Sequence, residues 1–500
     1  MLTAGSCRVP TSAWATPASG LLFGTVTQIH DLTVTEQAAA IRSGETSSAE
    51  ITEHYLDRID RLNEQVGAFY TVTDELAREQ AAAADKAVAA SRRDGGAVPP
   101  LTGVPIPIKD LNMVAGVRQT LGSVAFEDNV PTEDDHVAAA LRAAGTVMPG
   151  KTATPEFGLP CYTETEIGPP ARTPWDLSRS AGGSSGGAGA AVAAGLAPAA
   201  QGSDGGGSIR IPSSVCGLFG IKPTRGRISQ APLVPDLVGL GIDGPLTRTV
   251  ADAALLLDVM VGNRAGDMYT QPPLPPGETF LGYARREPGR LRIGRTRAHP
   301  VGDGAVHPDC VAAYEDASAL LASLGHEVVD IDAPFGPDVV PAFETLWYAM
   351  ATLAPLEPAQ EEVLRPLTRY LRERGRATSA ADLIFAQAFL QIVVRGAWQV
   401  LNAYDAVLTP TLAQPPAPVG YFEEVGPAEN FERQKRFTPF TAVYNVTGQP
   451  AVNLPLYWTA DGLPIGVMLA ARMRDEATLL SLSAQVEAAR PWQDRHPPLW

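Results

Sequence analysis

Two serine clusters, each surrounded by glycine, stand close together in the middle of the chain. Residues 182–187 read GGSSGG and residues 204–208 read DGGGS, joined by an alanine-rich run with a helical pattern. Glycine loses more conformational freedom on folding than any other residue, but it lets the backbone approach a ligand closely. A flexible Gly/Ser linker would not carry the apolar run AAVAAGLA between its glycines. The stretch 178–227 is therefore predicted to build a site.

A serine hydroxyl is a weak nucleophile and needs a base in contact with it. A lysine can act as that base only when it is neutral, which requires burial or a positive neighbour to lower its pKa. Lys109 ends the apolar run GVPIPIK at residues 103–109, where such burial is expected. The ordinary interpretation of one lysine here is a salt bridge or a side chain that reaches the surface. Its combination with two serine clusters favours a catalytic role.

Residues 145–152, GTVMPGKT, match the phosphate-binding P-loop pattern letter for letter. The mechanism behind that pattern needs a flexible loop of backbone N–H groups that runs directly into a helix N-terminus. Here the loop is an extended Val-Met-Pro, and Pro155 follows Thr152 after three residues. The prediction is therefore the end of a strand with a buried, structural Lys151, and not a nucleotide site.

Residues 182–186 also fit the G-x-S-x-G nucleophile elbow of α/β-hydrolases. Such an elbow follows a buried apolar strand, whereas the polar run DLSRSA precedes this one. Four downstream histidines could complete a Ser-His-Asp triad: His299, His307, His326 and His496. Each is predicted to be a surface or helix-capping residue. A histidine-dependent esterase is therefore disfavoured.

The composition is that of an ordinary soluble globular enzyme, with 45% hydrophobic and 19% charged residues in a chain of 500. A net charge of −16 argues against nucleic acid and anionic membranes as partners. Cys7, Cys161, Cys216 and Cys310 are too few and too scattered for a disulfide framework or a zinc site. We expect a reduced, cytoplasmic protein without metal or cofactor.

The first 25 residues are predicted to form a loose extension. They carry one positive charge and no sustained apolar core, so they make a poor signal peptide. No later run reaches about 18 uninterrupted apolar residues, and no transmembrane helix is expected.

The rest of the chain alternates between helical and strand patterns. Residues 33–92 are predicted to be helical, with a capping box at Ser47–Glu50. The further predictions are a helix at 134–144, a strand at 146–148, a helix at 247–262, a strand–helix–strand unit at 290–332, helices over 340–402, three short strands (AVLTPT, AVNLPL, PIGVMLA) and a helix at 475–489. This alternation predicts one α/β domain over residues 26–500, with a central mixed sheet covered by helices on both faces.

Taken together, these motifs resemble the amidase signature family. The likeness covers the chain from about residue 30 to its end, and the chain looks most similar to stand-alone bacterial amidases, including hydrolases of cyclic nylon oligomers. The matching segments are 103–110, 150–158, 182–195, 202–227, 243–254, 448–456 and 461–469.

The resemblance implies a catalytic triad of Ser208 as nucleophile, Ser184 as a bridging serine with a cis peptide bond, and Lys109 as base. It implies that Ser185 supports this network and that Asp204 and Arg210 order the nucleophile loop. It also implies an oxyanion hole formed by the backbone N–H groups of Gly205, Gly206, Gly207 and Ser208.

The implied activity is hydrolysis of amide C–N bonds through an acyl-enzyme, with esters and carbamates (urethanes) as further candidate substrates. The helical segment 340–402 would shape a pocket for a hydrophobic small-molecule amide, although such a segment equally fits a core. Cys161 is assigned to pocket lining or packing. The family's frequent homodimers leave a homodimer open. The alternative function is the glutaminase-type subunit of a tRNA amidotransferase, which requires partner chains.

Overall fold

The computed structural model describes residues 28–232, 238–301 and 304–500, so the expected extension over residues 1–25 lies outside the described part. The helices within it are α1 Val34–Ser43, α2 Ser48–Val66, α3 Asp74–Asp94, α4 His136–Ala143, α5 Gly186–Ala193, α6 Arg210–Cys216, α7 Val250–Met260, α8 Phe280–Ala284, α9 Pro308–Ser323, α10 Val339–Ala351, α11 Pro358–Glu362, α12 Pro366–Ala377, α13 Ala380–Leu401, α14 Pro427–Phe437, α15 Val443–Thr447 and α16 Glu476–Ala489. The strands are β1 Phe69–Val72, β2 Ile108–Lys109, β3 Gly150–Thr152, β4 Ala199–Ser203, β5 Phe219–Lys222, β6 Asp243–Thr247, β7 Arg292–Arg295, β8 Glu327–Asp330, β9 Ala406–Pro410, β10 Ala451–Trp458 and β11 Pro464–Ala471.

Most strands join one mixed sheet of eight, in the order β4-β6-β5-β10-β11-β9-β7-β8. A separate sheet of three has the order β1-β3-β2. The two sheets meet where β2 approaches the edge strand β4: the N–H of Gln201 donates to the carbonyl of Pro107 (3.1 Å). The predicted mixed α/β architecture is confirmed, with the smaller sheet as an addition to the single sheet expected.

Local sequence signals account for the helix boundaries. α2 begins at the predicted capping box, in which Ser47 accepts from the N–H of Glu50 and the Glu50 side chain accepts from the N–H of Ser47. Burial of Ile51, Tyr55 and Ile59 at helical spacing holds its inner face against the core. Gly67 then ends the helix in the left-handed conformation.

Helix α5, which links the two serine clusters, is buried along its whole length. A methyl group at Gly187 would lie 2.2 Å from the backbone nitrogen of Ala153, at the end of β3. Only glycine allows this close approach. The small residues of the alanine-rich run therefore let a helix pack directly on a strand backbone.

The predicted strand–helix–strand unit is confirmed as β7, α9 and β8, because β7 and β8 pair in parallel. The prediction that residues 33–92 are helical was wrong at β1, a strand too short to interrupt the helical pattern visibly. The strand predicted at 146–148 is an isolated bridge between Val147 and Pro105, and the paired strand β3 begins at Gly150.

The segment predicted to be helical at 340–402 forms α10 to α13. Helix α13 is the one helix of the described part with the length and mean hydropathy (1.3) of a membrane span. Most of its 18-residue apolar window is exposed, since 17% of it is buried in the protein. The charged residues Asp382 and Arg395 interrupt its apolar run. The search of the sequence for about 18 uninterrupted apolar residues therefore did not select this helix. Leu390 on its inner face packs in a cluster with Trp347 of α10.

Candidate active site

Lys109 ends β2 with its side chain fully buried. Its amine nitrogen lies among three serine hydroxyls: Nζ is 2.8 Å from Ser184 Oγ, 2.9 Å from Ser185 Oγ and 3.0 Å from Ser203 Oγ. Residues separated by 75 or more positions are thus brought into hydrogen-bond contact. The geometry places Lys109 in contact with Ser184, as the resemblance implied.

Hydrogen-bond accounting limits which serine can give a proton to Lys109. Ser185 Oγ donates its single hydrogen to the carbonyl of Ser203 (3.1 Å), so it can only accept from the amine. Ser184 and Ser203 keep an O–H that can be donated to the lone pair of a neutral amine. Ser185 is therefore a support for Lys109 and not part of a proton path.

The pKa of the Lys109 amine is lowered to about 7, because burial removes water from its charged form. The carboxylates of Asp243 and Asp204 oppose this effect by favouring the ammonium. A lysine with this pKa exists as both amine and ammonium near neutral pH, which meets the requirement for a base.

The peptide bond between Gly183 and Ser184 is cis. The backbone around it is tightly enclosed: a methyl group at Gly183 would lie 2.7 Å from the backbone nitrogen of Tyr162. The next residue, Ser185, donates its N–H to the carbonyl of Ser208 (3.2 Å). The two serine clusters are thus joined directly by their backbones.

Ser208 stands at the end of the glycine run, 6% exposed, and lines an apolar pocket. Its hydroxyl makes no hydrogen bond within the described residues, to Ser184 or to any other group. The nucleophile assigned by resemblance is therefore near the Lys109 cluster but is not hydrogen-bonded to it in this structure.

The glycine run carries three backbone N–H groups without an internal acceptor among the described residues. No hydrogen bond inside the described part of the chain uses the N–H groups of Gly205, Gly206 or Ser208. Gly207 is different, because its N–H donates to Asp204 Oδ1 (2.7 Å). The inclusion of Gly207 in the set of free donors is corrected: its N–H holds the loop and is not available to an oxyanion.

The ion pair of Asp204 and Arg210 holds the glycine loop in place. Arg210 donates twice to the Asp204 carboxylate, from Nε to Oδ2 and from Nη2 to Oδ1, each at 2.9 Å, and both side chains are fully buried. Burial alone would raise the pKa of Asp204, but the Arg210 guanidinium holds it well below its usual range. Asn445 Nδ2 adds a bond to Oδ1 (2.9 Å). The carboxylate therefore stays charged and fixes Gly207.

The pocket that reaches Ser208 is built mainly from apolar side chains. Phe343 and Trp347 of α10 stack with ring centroids 5.4 Å apart, and the Trp347 ring lies 3.6 Å from the position of a methyl group at Gly206. Further walls come from α13 through Leu390 and Val393. The segment 340–402 thus contributes both core and pocket.

Apart from Ser208, the polar side chains that line this pocket are engaged within the protein. Gln434 accepts from the N–H of Cys161 (2.9 Å) and donates to Asn430 (2.7 Å). Lys435 is paired with Glu344 and Glu432. The lining therefore presents little unsatisfied polarity to a ligand.

Cys161 lines the pocket, as predicted, and is buried. Burial raises the pKa of its thiol far above the ordinary value. The thiolate is the nucleophilic form of cysteine, so this residue remains a neutral part of the wall.

The competing motifs are resolved by their surroundings. Lys151 lies in β3, fully buried and paired with Asp110 (3.1 Å), as the structural interpretation of the P-loop match predicted. The four candidate histidines contact other groups: His299 the carbonyl of Gly304, His307 the N-terminus of α9, His326 Gln485 and His496 Trp500. His326 is buried and not at the surface as predicted.

Sequence reasoning missed several residues of the site. Ser203 directly precedes Asp204 in the motif, and that proximity was its only signal. Asn445 lies 241 residues from Asp204 and is brought to it only by the fold. No group of three or more His, Cys, Asp or Glu side chains in the described ranges is placed to hold a metal ion.

Comparison with known proteins gives one consistent result. A family model described as Amidase matches residues 50–480. A putative amidase AmiB2 of Mycobacterium tuberculosis is 40% identical over 465 residues, covering 92% of this chain and 96% of the relative. The 6-aminohexanoate-cyclic-dimer hydrolase of Paenarthrobacter ureafaciens is 36% identical over 491 residues, covering 93% and 96%. A solved structure of 6-aminohexanoate cyclic dimer hydrolase complexed with substrate has a TM-score of 0.85 at 32% identity, covering 94% of this chain and 99% of that one.

Proposed function

The chain belongs to the amidase family, whose members hydrolyse amide C–N bonds, and we propose that it does so through an acyl-enzyme with Ser208 as nucleophile, Ser184 as bridging serine and Lys109 as base. One observation carries the proposal: a fully buried lysine, its pKa lowered to about 7, lies 2.8 Å from Ser184 Oγ.

In the first step Ser208 Oγ attacks the amide carbonyl carbon. Its proton passes to Ser184 Oγ, and the Ser184 proton passes to the neutral Lys109 amine. The Ser208 hydroxyl, which has no partner among the described residues, must turn toward Ser184 for this transfer. The C–O bond forms as the carbonyl π electrons move onto oxygen.

The resulting oxyanion is received by the N–H groups of Gly205, Gly206 and Ser208. Donors that are already aimed at the developing charge do not reorganise during the reaction, and the loss of one costs about 10²–10³ in rate. The Asp204–Arg210 pair supports this effect by fixing the backbone between the donors.

Collapse of the tetrahedral intermediate breaks the C–N bond. The proton on Lys109 returns through Ser184 to the leaving nitrogen, so the amine departs neutral. A water molecule then repeats the sequence on the ester of Ser208 and releases the carboxylic acid.

The pocket favours small, hydrophobic amides. The engaged state of Gln434 and Lys435 leaves little to compensate the burial of a charged or strongly polar group. Esters and carbamates share the carbonyl geometry and are included among the candidate substrates.

Cys161, Cys216 and Cys310 are buried and unpaired, which supports a cytoplasmic location.

Covalent labelling tests the nucleophile. Ser208→Ala should abolish labelling by a fluorophosphonate probe and reduce amide hydrolysis to background, because the attacking oxygen is removed. Ser213→Ala is the matched control, since its buried hydroxyl has no hydrogen-bond partner and lies nearby on α6. Stoichiometric labelling of the Ser208→Ala protein would refute the assignment.

The alternative function, a glutaminase subunit of a tRNA amidotransferase, predicts another substrate. Free glutamine carries two charges, and an apolar pocket would have to bury them. Purified chain without partners should hydrolyse neutral anilides and leave glutamine unchanged. Hydrolysis of glutamine, with no activity on anilides, would favour the subunit.

A further inference from the structure

Asp243 is a buried acid that the proposed mechanism does not use. It begins β6 opposite Ser203 of β4, and is 4% exposed. No lysine or arginine of the described ranges lies within ion-pair distance of its carboxyl group. This buried carboxyl group stands beside the strand that carries Ser203.

One side-chain amide connects Asp243 to Lys109. Gln201 Nε2 donates to Asp243 Oδ1 (2.7 Å), and Gln201 Oε1 accepts from the N–H of Lys109 (2.8 Å). The amide cannot turn over without loss of both bonds, because Nε2 can only donate and Oε1 can only accept. The position of the Lys109 backbone is therefore coupled to the Asp243 carboxyl group.

The side-chain amide of Asn112 links Asp243 to a second acid, Asp135. Asn112 Nδ2 donates to Asp135 Oδ2 (2.8 Å) and, more weakly, to Asp243 Oδ1 (3.3 Å). Lys151 donates to the carbonyl of Asn112 (2.7 Å), but its charge is paired with Asp110. Asp204, the other acid near Lys109, is neutralised by Arg210. Asp243 is thus the carboxyl group near Lys109 that lacks a cation of its own.

The charges of Asp243 and Lys109 depend on each other. Burial and the neighbouring Asp135 raise the pKa of Asp243 to about 7, close to the lowered pKa of Lys109. Ionised Asp243 favours the ammonium form of Lys109. Two interacting groups in the same pH range titrate as a pair, so the charge of each depends on the protonation of the other.

We propose that Asp243 is a positioning residue for the catalytic base: it holds the backbone of Lys109 through Gln201, and its negative charge, when it is ionised, stabilises the ammonium form of that base. The inference rests on the proposed role of Lys109.

The Asp243→Asn variant tests the inference through the pH dependence of kcat/KM. Asparagine keeps the acceptor oxygen for Gln201 but cannot be charged, so the ammonium loses its support. The acid limb should move to lower pH by about one unit. A uniform loss of activity with the limb unmoved would show a merely structural role and overturn the inference.

Asp135→Asn provides a second variant that leaves Asp243 in place. Removal of the like charge lets Asp243 ionise at lower pH, so Lys109 keeps its proton longer and the limb should move to higher pH. Shifts of opposite sign support the inference; a limb that stays in place in both variants contradicts it. Glu487→Gln is the matched control, a half-buried acid with its pKa raised to about 7 and bonded to the N–H of Val250, and it should leave the limb in place.

Lys109→Ala separates a failure of this inference from a failure of the proposed function. If the parent's acid limb persists in Lys109→Ala, then lysine is not the base and both proposals fall. If that limb disappears in Lys109→Ala while Asp243→Asn matches the parent, only the role of Asp243 is refuted.

Discussion

Lys109 carries its amine at the end of a fully buried side chain, among serine hydroxyls and without a contacting carboxylate. Burial makes the amine a base near neutral pH, and the same burial opposes folding, because the unfolded chain binds its proton more tightly. The folded pKa is about 7 and the ordinary value is 10.5. Between these values the unfolded state holds more protons, so the parent's stability rises with pH.

Lys109→Met should therefore flatten the pH dependence of unfolding. The destabilising effect of the lysine is fully present below pH 7 and disappears as pH rises toward 10.5, at about 1.4 kcal/mol per pH unit. Urea unfolding at several pH values, with the exposed Lys86→Met as control, measures the difference in slope. Equal slopes for Lys109→Met and the parent would contradict the lowered pKa.

In the glycine run between β4 and α6, neighbouring glycines differ in how much space surrounds them. Gly207 has φ = +134°, and a methyl group there would lie 2.4 Å from Thr441 Oγ1 and 2.8 Å from Ile211 Cδ1. A methyl group at Gly206 would meet only the Trp347 and Phe343 rings, at 3.6 Å or more.

Gly207→Ala should lower kcat by at least about 10²-fold, because the loop that carries Ser208 would be displaced. Gly206→Ala, the matched control, keeps its N–H and meets ordinary van der Waals distances, so it should retain most of the activity. Steady-state kinetics on a neutral anilide and a thermal melt of each variant provide the comparison. Equal losses in the two variants would show that loop geometry is not the cause.

The extent of sequence-based prediction can be seen in these same elements. β7, α9 and β8 were predictable because their apolar periodicity is local and their boundaries carry turn residues. The contacts of Asn445 with Asp204 and of Gln201 with Asp243 were not, since tertiary packing alone joins them. Lys109 lies between these cases: its burial was predictable from the strand, but its two nearest acids were not.

For the molecule as a whole, the two ends of the described chain close on each other. Trp500 Nε1 donates to Asp31 Oδ1 (2.8 Å), and the ring stacks on His496 with centroids 4.2 Å apart. Arg248, which also bonds to the carbonyl of Leu32, lies over the same indole at 4.9 Å. None of these contacts involves Lys109 or the serines around it. We therefore expect the junction to stabilise the fold and to take no part in the reaction.

Trp500→Ala should lower the free energy of unfolding by about 1–3 kcal/mol and leave kcat/KM unchanged. Phe385→Ala is the control, because that ring is 72% exposed on α13 and its loss should have little effect. Denaturant unfolding, followed together with activity, distinguishes the two variants. A fall in kcat/KM for Trp500→Ala at low temperature would show that the junction reaches the site.

The base and the nucleophile are supplied from opposite sides of the seam between β2 and β4. Few hydrogen bonds cross that seam, among them the one from Gln201 to Pro107. Slight slippage between the sheets would separate Lys109 from Ser203 while each sheet kept its own ladder. Thermal inactivation should consequently precede loss of secondary structure, and residual turnover would serve as a gauge of how well the two sheets remain docked.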